Sequence, residues 1–330
     1  MVEVGGGALA VAADRGRLEA AVQRWRGYQA VPGGWGRSVV TIGVFDGIHR
    51  GHQQIIGHAV KRASDLGVQS VVVTFDPHPA EVVRPGSHPA VLIEAPTKAE
   101  LIEELGADAL CVVPFTAEFS RLPAEEFVHD VLVERLHAAA VVVGENFRFG
   151  HRATGDLPML RQLGRRFGFS VEQAALVGDD EAVFSSTYVR ACVAAGDVVR
   201  AGRTLGRPHR LEGVVVRGDR RGRQLGYPTA NLLTSHYAAV PADGVYAAWL
   251  RRGGERLPAA VSIGTNPTFA GLNRRVEAYV LDFDGDLYGE RVVLEFVDRL
   301  REMRTYQGIE PLIAQIRADV AQTRQLLLSD

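Results

Sequence analysis

Two histidines three residues apart, His49 and His52, stand in the stretch TIGVFDGIHRGHQQII, directly after an apolar run. Three kinds of chemistry fit this spacing. The histidines could be ordinary polar residues at the start of a helix, they could share a metal ion, or they could bind phosphate together with the free N–H groups of a helix start. A metal site needs a third ligand, and the sequence offers none at a recognisable spacing.

Apolar runs alternate with helical patterns from about Ser38 to Gly178, and this alternation predicts the elements that position the two histidines. The predicted strands are residues 38–45, 68–75, 109–115, 139–144 and 169–177, and the predicted helices are 49–66, 97–106, 124–136 and 157–168. Such a pattern is typical of a parallel sheet covered on both faces, in which ligands bind beyond the carboxyl ends of the strands. His49 and His52 come just past the end of the first strand, so their position favours a role in binding a ligand over an ordinary helix start.

The periodicity changes after about Asp197. Short runs rich in Val, Ala and aromatic residues follow, at 210–219, 244–252, 256–264, 274–283 and 290–298. Because Gly, Pro and Asp turns separate them, they predict a small all-β barrel, followed by one helix from about Pro311 to Leu328. The segment 191–210 joins the two halves, and we place the boundary between them near residue 200.

Composition excludes several classes of protein. The chain has 330 residues, 46% of them hydrophobic, and a formal net charge of −2, so no overall basic field draws it to nucleic acid or to an anionic membrane. Its two cysteines, Cys111 and Cys192, are too few for a disulfide framework, and the apolar run around Cys111 favours a buried structural thiol. The N-terminal stretch has the pattern of neither a signal peptide nor a membrane span, and we expect a cytoplasmic protein.

The segment GVFDGIHRGH, residues 43–52, resembles the GxFDGxHxGH motif of the HxGH nucleotidylyltransferases. From about Val22 to its C-terminus the chain resembles the bifunctional riboflavin kinase/FMN adenylyltransferases, the prokaryotic FAD synthetase family, because several motifs occur in the right order across both halves. The resemblance implies a Rossmann-like α/β nucleotidylyltransferase domain over residues 1–200, with 1–21 as a flexible extension. It also implies a small all-β riboflavin kinase barrel with a C-terminal helix over residues 201–330.

Two reactions follow from this resemblance. Riboflavin and ATP would give FMN and ADP, and FMN and ATP would then give FAD and pyrophosphate, with Mg²⁺ as cofactor and ATP as co-substrate. The expected partners are therefore riboflavin, FMN, FAD, ATP and ADP, with no nucleic acid and no membrane. Oligomeric state is not predicted.

The resemblance also assigns residues to an adenylyl-transfer site. His49 and His52 would donate hydrogen bonds to phosphate oxygens, and the predicted ATP-binding residues of this half are Gly43, Phe45, Gly51, Ser185, Ser186, Thr187 and Arg190. The segment FSSTYVR resembles the family's SSTxxR segment, although its hydroxyls also suit a helix N-cap. The loops TFDPHP and GENFRFGHRATGD would hold the flavin nucleotide through Asp76, His78, Asn146, Phe147 and Arg148. Packing by Phe147 and a turn at His78 are the alternatives.

A second set of motifs lies in the C-terminal half. The glycine-rich GVVVRGDRRGRQLGYPTANL lacks the spacing of a P-loop, and a flexible surface turn is its alternative interpretation. Its PTAN segment resembles the riboflavin kinase motif, which implies Mg²⁺ on Thr229 and Asn231 and phosphates against Gly218, Gly222 and Arg223. Glu277 stands in an apolar strand, where alternation alone would point it outward. The resemblance implies that Glu277 is the catalytic base.

Two other functions remain as alternatives. The chain could be a nucleotidyltransferase for another acceptor with a non-catalytic ligand-binding barrel, or a non-catalytic flavin-binding regulator. The PTAN segment together with Glu277 argues against the first. The presence of His49, His52 and the kinase residues argues against the second.

Overall fold

The computed structural model describes residues 22–329 except 176, 181, 219–221, 223, 224, 269 and 270, and it also leaves the side chains of 266–268 and 271–273 undescribed. The predicted N-terminal extension, residues 1–21, and the predicted phosphate-binding Arg223 therefore lie outside the described residues. The chain divides into two compact units. The first comprises the described residues up to His88 together with Ala95–Val177, and the second comprises Pro89–Glu94 together with the described residues from Gly178 onward.

The first unit is built on a parallel six-stranded sheet. Its strands are β1 Gln23–Arg26, β2 Ser38–Ile42, β3 Gln69–Asp76, β4 Ala109–Pro114, β5 Ala138–Gly144 and β6 Ser170–Ala174. They pair in the order β1-β4-β3-β2-β5-β6, and every pairing is parallel. Every residue of β2 is buried. Such a strand, buried on both faces, is what a sheet covered on both sides requires.

Helices cover both faces of this sheet. They are α1 Arg50–Leu66, α2 Pro79–Val83, α3 Ala95–Glu104, α4 Ala124–Phe127, which continues as a π-helix over Val128–Arg135, and α5 Leu157–Phe167. On one face Val40 packs in a cluster with Phe127 of α4. On the other face Val39 packs with Ala59 and Ala63 of α1. Adjacent residues of one strand thus face opposite layers, and the predicted doubly covered sheet is confirmed.

The second unit contains a closed antiparallel barrel. Its strands are β7 His209–Val216, β8 Ala230–Leu233, β9 Gly244–Arg252, β10 Glu255–Thr268, β11 Gly271–Val280 and β12 Arg291–Arg301. They close in the order β10-β11-β8-β7-β12-β9. Alternate apolar residues such as Val276, Ala278 and Val280 point into one buried core, as the period of two along a strand requires. The predicted barrel is therefore confirmed.

The second unit also contains the helices α6 Ser186–Ala195, α7 Val198–Leu205 and α8 Ile309–Leu328. The joining segment thus forms helices, with Gly196 at φ 78° ending α6. The predicted C-terminal helix is α8, which begins two residues earlier than expected. It is held to β12 by the bidentate pair between Arg301 and Asp319, with nitrogen–oxygen distances of 2.9 and 2.7 Å. No helix in the described part of the chain is long and apolar enough to cross a membrane.

Two strands were not predicted, and both have only four residues. The sequence of β1, QRWR, carries polar or charged side chains at three positions and lies at a sheet edge. The sequence of β8, ANLL, begins with the last two residues of the PTAN motif. Segments this short contain too few alternating positions for a periodicity to be visible.

The two cysteines are free and buried. Burial raises the pKa of Cys111 to about 12, so this thiol stays protonated at neutral pH. A protonated thiol is a poor nucleophile and a poor metal ligand. The prediction of a structural Cys111 is consistent with this environment.

Candidate active sites

The turn between β2 and α1, which we call the histidine turn (residues 43–52), has an unusual backbone. Phe45, Gly47 and Ile48 have φ values of 48°, 80° and 39°. Glycine adopts this left-handed region freely, but other residues are strained there by about 1–3 kcal/mol each, and a β-branched residue such as Ile48 is rare. Phe45 and Ile48 are each only 1% exposed. Burial of these two side chains helps to hold the turn in its strained shape.

The strained turn delivers His49 to the start of α1 as its N-cap. The Nδ1 atom of His49 accepts from the backbone N–H of His52 at 3.4 Å, and the two rings stack with centroids 3.7 Å apart. Because Nδ1 accepts, a neutral His49 carries its proton on Nε2, where it can donate to a ligand. The predicted pair is thus brought together at the carboxyl end of β2, with Gly51 in the first turn of α1 between them.

Phe45 contacts the ring of His52, and Gly43 leaves room for the Phe45 ring. The Phe45 ring meets the His52 ring edge-on, with centroids 5.2 Å apart. A Cβ atom on Gly43 would lie 3.0 Å from the Phe45 ring, so only glycine leaves the ring its place without a shift. Contact of Gly43 and Phe45 with ATP stays a prediction. The structure shows that Gly43 and Phe45 help to position the His52 ring.

Lys98 in α3 is a member of this region that sequence reasoning missed. Its Nζ atom donates to the backbone carbonyl of Val44 at 3.0 Å. Desolvation by burial lowers the pKa of Lys98, while the carboxylates of Asp46 and Asp76 act in the opposite direction. One signal was available, since only two lysines occur in this arginine-rich chain, Lys61 and Lys98. Lysine count alone does not indicate which carbonyl an amine reaches.

The loop after β3 holds two of the predicted flavin-binding residues. Asp76 ends β3 and is exposed, and His78 is the N-cap of α2. The Nδ1 atom of His78 accepts from the backbone N–H of Ala80 at 3.1 Å. His78 therefore shapes a turn, as the alternative interpretation held. Flavin binding by His78 stays a prediction.

The loop after β5 holds the other three predicted flavin-binding residues, Asn146, Phe147 and Arg148. Hydrogen bonds within the loop close it on itself. Phe149 and Gly155 exchange two backbone hydrogen bonds, of 3.1 and 2.9 Å. Phe147 stacks on Phe149 with ring centroids 5.4 Å apart, so it packs as the alternative interpretation held. Asn146 and Arg148 are exposed on this closed loop. A closed loop with exposed polar side chains is a suitable platform for a ligand, and the assignment to flavin stays a prediction.

The SSTxxR segment opens α6 in the second compact unit, whereas the histidine turn belongs to the first. Ser185 caps the helix, since its Oγ accepts from the backbone N–H of Tyr188 at 3.1 Å. The Nε atom of Arg190 donates to the carbonyl of Ala90 at 2.7 Å. Ser186 is partly buried and Thr187 is exposed. Capping and helix anchoring are therefore established for this segment, and phosphate binding stays a prediction.

In the barrel, strand register brings the predicted kinase residues together. Glu277 of β11 pairs directly with Asn231 of β8. Val276 and Ala278 point into the buried core, so Glu277 lies on the outer face of the barrel. Directly paired residues of antiparallel strands share a face, with Cβ atoms about 4.5–5.5 Å apart. Glu277 and Asn231 thus stand side by side on the outer face, in the outward position that alternation alone predicted.

Glycines let the chain before β8 approach these residues. A Cβ atom on Gly218 would fall 2.4 Å from the Nδ2 atom of Asn231. A Cβ atom on Gly222 would fall 2.3 Å from the Tyr227 carbonyl and 3.5 Å from the Oγ1 atom of Thr229. Both glycines are required for close approach. Gly218 thus lies against Asn231 and Gly222 against Tyr227, and phosphate binding by the glycine-rich segment stays a prediction.

Two cavities adjoin these residues. A cavity of about 900 Å³ is lined by Gly218 and Asn231 together with Arg217 and Arg275. Arginines at a cavity wall favour an anionic ligand such as a nucleotide phosphate. Thr229 lines a second cavity, of about 420 Å³. The barrel thus offers space for two ligand groups on either side of the PTAN segment.

Thr229 and Asn231 offer two oxygen ligands to a metal ion, so a bound substrate and water would have to supply the remaining ligands. Among the residues that the structure describes, no three His, Cys, Asp or Glu side chains form a group that could hold a metal ion. Mg²⁺ commonly keeps several waters and takes one or two protein ligands plus substrate phosphates. The two neutral oxygens of Thr229 and Asn231, each at the wall of a cavity, suit this mode of binding.

Comparison with known proteins decides the family. A family model described as FAD synthetase matches residues 33–188, and one described as riboflavin kinase matches residues 205–327. A bifunctional riboflavin kinase/FMN adenylyltransferase of Pseudomonas fluorescens is 42% identical over 289 residues, which cover 87% of this chain and 92% of that protein. The chain belongs to the bifunctional riboflavin kinase/FMN adenylyltransferase family.

A further member of this family agrees with the assignment, and a solved structure shares the fold. The relative from Listeria monocytogenes is 36% identical over 289 residues, which cover 87% of this chain and 91% of the relative. A crystal structure of a macrolide-efflux protein from Streptococcus pneumoniae shares the fold with a TM-score of 0.84 at 32% identity, covering 92% of this chain and 99% of that one. The family and the fold inferred from the motifs are therefore confirmed.

Proposed function

We propose that this chain phosphorylates riboflavin to FMN in its barrel and adenylylates FMN to FAD in its α/β part. The observation that carries the proposal is the register that stands Glu277 beside Asn231, against the glycine-rich segment. A non-catalytic barrel has no need of a carboxylate at this position. The histidine turn supports the second reaction, because it presents two ring donors at the edge where ligands of a parallel sheet bind.

For the kinase reaction we assign Glu277 as the base. Its carboxylate accepts the proton of the riboflavin 5′-hydroxyl as the γ-phosphoryl group transfers. Thr229 and Asn231 would hold Mg²⁺, which when bound neutralises charge on the transferring phosphates. Gly218 and Gly222 would let the nucleotide phosphates approach the backbone. Because Asn231 is paired with Glu277, the base and the nucleotide are held by adjacent strands.

For adenylyl transfer we assign His49 and His52 as hydrogen-bond donors. A phosphate oxygen of FMN attacks the α-phosphorus of ATP, and the bond to pyrophosphate breaks. His49 donates from Nε2, and the N–H groups of the first turn of α1 add positive potential at the same place. Charge that develops on the phosphates in the transition state is stabilised by these fixed donors. No side chain needs to become covalently attached.

We place the functional boundary near residue 200, with adenylylation in residues 1–200 and phosphorylation in 201–330. The extents of the two matching family models, 33–188 and 205–327, support this division. Both reactions consume ATP, and we propose the cytoplasm as the compartment in which they occur. The SSTxxR helix α6 is assigned to adenylylation by its motif and not by its place in the second compact unit.

Chromatography of the products tests the proposal. We expect the full chain with riboflavin, ATP and Mg²⁺ to form FMN and then FAD, with one ADP and one pyrophosphate released for each FAD. Supplied FMN should give FAD without ADP. FAD from FMN but no FMN from riboflavin would show that the barrel is non-catalytic. Formation of neither product would support the nucleotidyltransferase for another acceptor.

A further inference from the structure

The carbonyl group of Val44 lies between β2 and the strained part of the histidine turn. Two side chains from different elements donate to its oxygen. The Nζ atom of Lys98 in α3 lies 3.0 Å away, and the Oγ1 atom of Thr74 in β3 also lies 3.0 Å away. One carbonyl thus ties the turn to a helix and to the neighbouring strand.

The residue that follows is Phe45, with φ 48°. Rotation of the Val44–Phe45 peptide would let Phe45 relax out of the left-handed region. Such a rotation would turn the Val44 carbonyl away from both of its donors. It would also shift the chain that leads to Ile48 and to the N-cap His49. Donors on this carbonyl therefore oppose the relaxation that the backbone strain favours.

Lys98 is the stronger of the two donors, because a hydrogen bond from an ammonium group is charge-assisted. Its side chain is partly buried, and the carboxylates of Asp46 and Asp76 act on its charge. Both carboxylates belong to segments that leave the carboxyl ends of β2 and β3. The ammonium group is thus held among three groups at the edge of the sheet where the histidines lie.

We propose that Lys98 is a positioning residue for adenylyl transfer, which keeps His49 and His52 in place by holding the Val44 carbonyl. The inference rests on the proposed adenylylation of FMN. It differs from a direct role in binding substrate, because the contact made by Lys98 is to the backbone of the turn. The loss of Lys98 should therefore lower kcat more than it raises KM.

The test compares Lys98→Met with Lys61→Met in the full chain. Lys61 is the other lysine, and it is exposed on α1. We expect Lys98→Met to lower kcat for FAD formation about thirtyfold or more, with KM for ATP and FMN changed less than fivefold, since a small misplacement of a donor can cost about a hundredfold. Amide hydrogen exchange in the peptide 43–49 should speed up about tenfold. Lys61→Met should match the wild type in both measurements, and Lys98→Arg should recover part of the loss.

Each result separates one hypothesis from another. A wild-type chain that forms no FAD contradicts the proposed function itself. A wild-type chain that forms FAD, with Lys98→Met within threefold in kcat, overturns only the role of Lys98. Raised KM with unchanged kcat and unchanged exchange in 43–49 also overturns it, because that pattern indicates direct contact with substrate.

Thr74→Val provides a second variant, because it removes the other donor and leaves the charge of Lys98. We expect a smaller loss of kcat, about threefold to tenfold, with the same unchanged KM. The losses in the double variant should not multiply, since both donors act on one carbonyl. Fully multiplicative losses would contradict a shared role. If exchange in α5 shows that Lys98→Met unfolds the first unit, Thr74→Val alone decides the question.

Discussion

The candidate sites in the two compact units are built from different parts of their folds. In the first unit the candidate side chains follow the ends of parallel strands, on turns and helix starts, and their positions depend on local backbone shape. In the barrel Glu277 and Asn231 lie within paired strands, and their distance is set by register. Register is maintained by many hydrogen bonds and by the buried inner face of each strand.

This difference predicts different sensitivities. The histidine turn stores strain at Phe45 and Ile48, so substitutions that touch no substrate can misplace its histidines. In the barrel, a single substitution on the outer face leaves the strand pairing intact and removes only the group that it changes. The first site should therefore be sensitive to its supports, and the second mainly to its own functional groups and to the glycines beside them.

The largest effect is expected for Glu277→Gln. The amide keeps the size of the side chain but cannot accept the hydroxyl proton, so FMN formation should fall by about 10²–10⁴-fold. FAD formation from supplied FMN should continue. Glu255→Gln, at an exposed glutamate of β10, is the matched control and should phosphorylate riboflavin normally. Unchanged FMN formation in Glu277→Gln would leave this residue as an outward-facing strand residue only.

His49→Ala and His52→Ala should each lower FAD formation about a hundredfold, as the loss of one fixed donor to transition-state charge does. Riboflavin phosphorylation in the same chains should persist. His129→Ala removes an exposed histidine of the same unit and serves as the control. Wild-type rates of FAD formation in both variants would restrict the pair to a structural role.

Gly218→Ala tests the glycine-rich segment, with an expected loss of about tenfold to a hundredfold in FMN formation. The added Cβ would fall 2.4 Å from Asn231 Nδ2, so the Asn231 amide must move away from its present place. Gly254→Ala adds a methyl group where no atom lies within 4 Å, and it should leave the rate unchanged. Equal rates in the two variants would show that the exact placement of Asn231 does not matter.

The smallest effect concerns the titration of Lys98. Burial lowers its pKa from the ordinary 10.5, so the folded chain loses this proton at lower pH than the unfolded chain does. Between the two pKa values the unfolded state binds more protons, and the free energy of unfolding should rise with pH. Lys98→Met should abolish this rise. The Cε resonances of ¹³C-labelled lysine should show a midpoint below 10.5 for the signal that Lys98→Met removes.

Asp46→Asn sharpens the same measurement. The Asp46 carboxylate favours the charged form of Lys98, so its removal should lower the pKa of Lys98 further. A midpoint that rises in Asp46→Asn, or one above 10.5 in the wild type, would show that the electrostatic balance at the edge of the sheet is different.

The amino-acid sequence by itself determined the architecture and the family. Long apolar runs such as that of β3, with helical patterns between them, specify a parallel sheet, and alternating runs after residue 197 specify a barrel. These patterns persist because burial of each face requires them along the whole element. The motifs around His49 and Asn231 were visible because each of them is a contiguous stretch of chain.

Only the tertiary structure decided which distant residues meet. Lys98 and Val44, which are in contact, are 54 positions apart in the sequence. Glu277 and Asn231, which pair across two strands, are 46 positions apart. Local periodicity shows that Glu277 points outward, but register alone shows what stands beside it. The left-handed turn at Phe45 and Ile48 was equally hidden, because its strain is opposed by burial and by donors from other elements, which no local sequence pattern encodes.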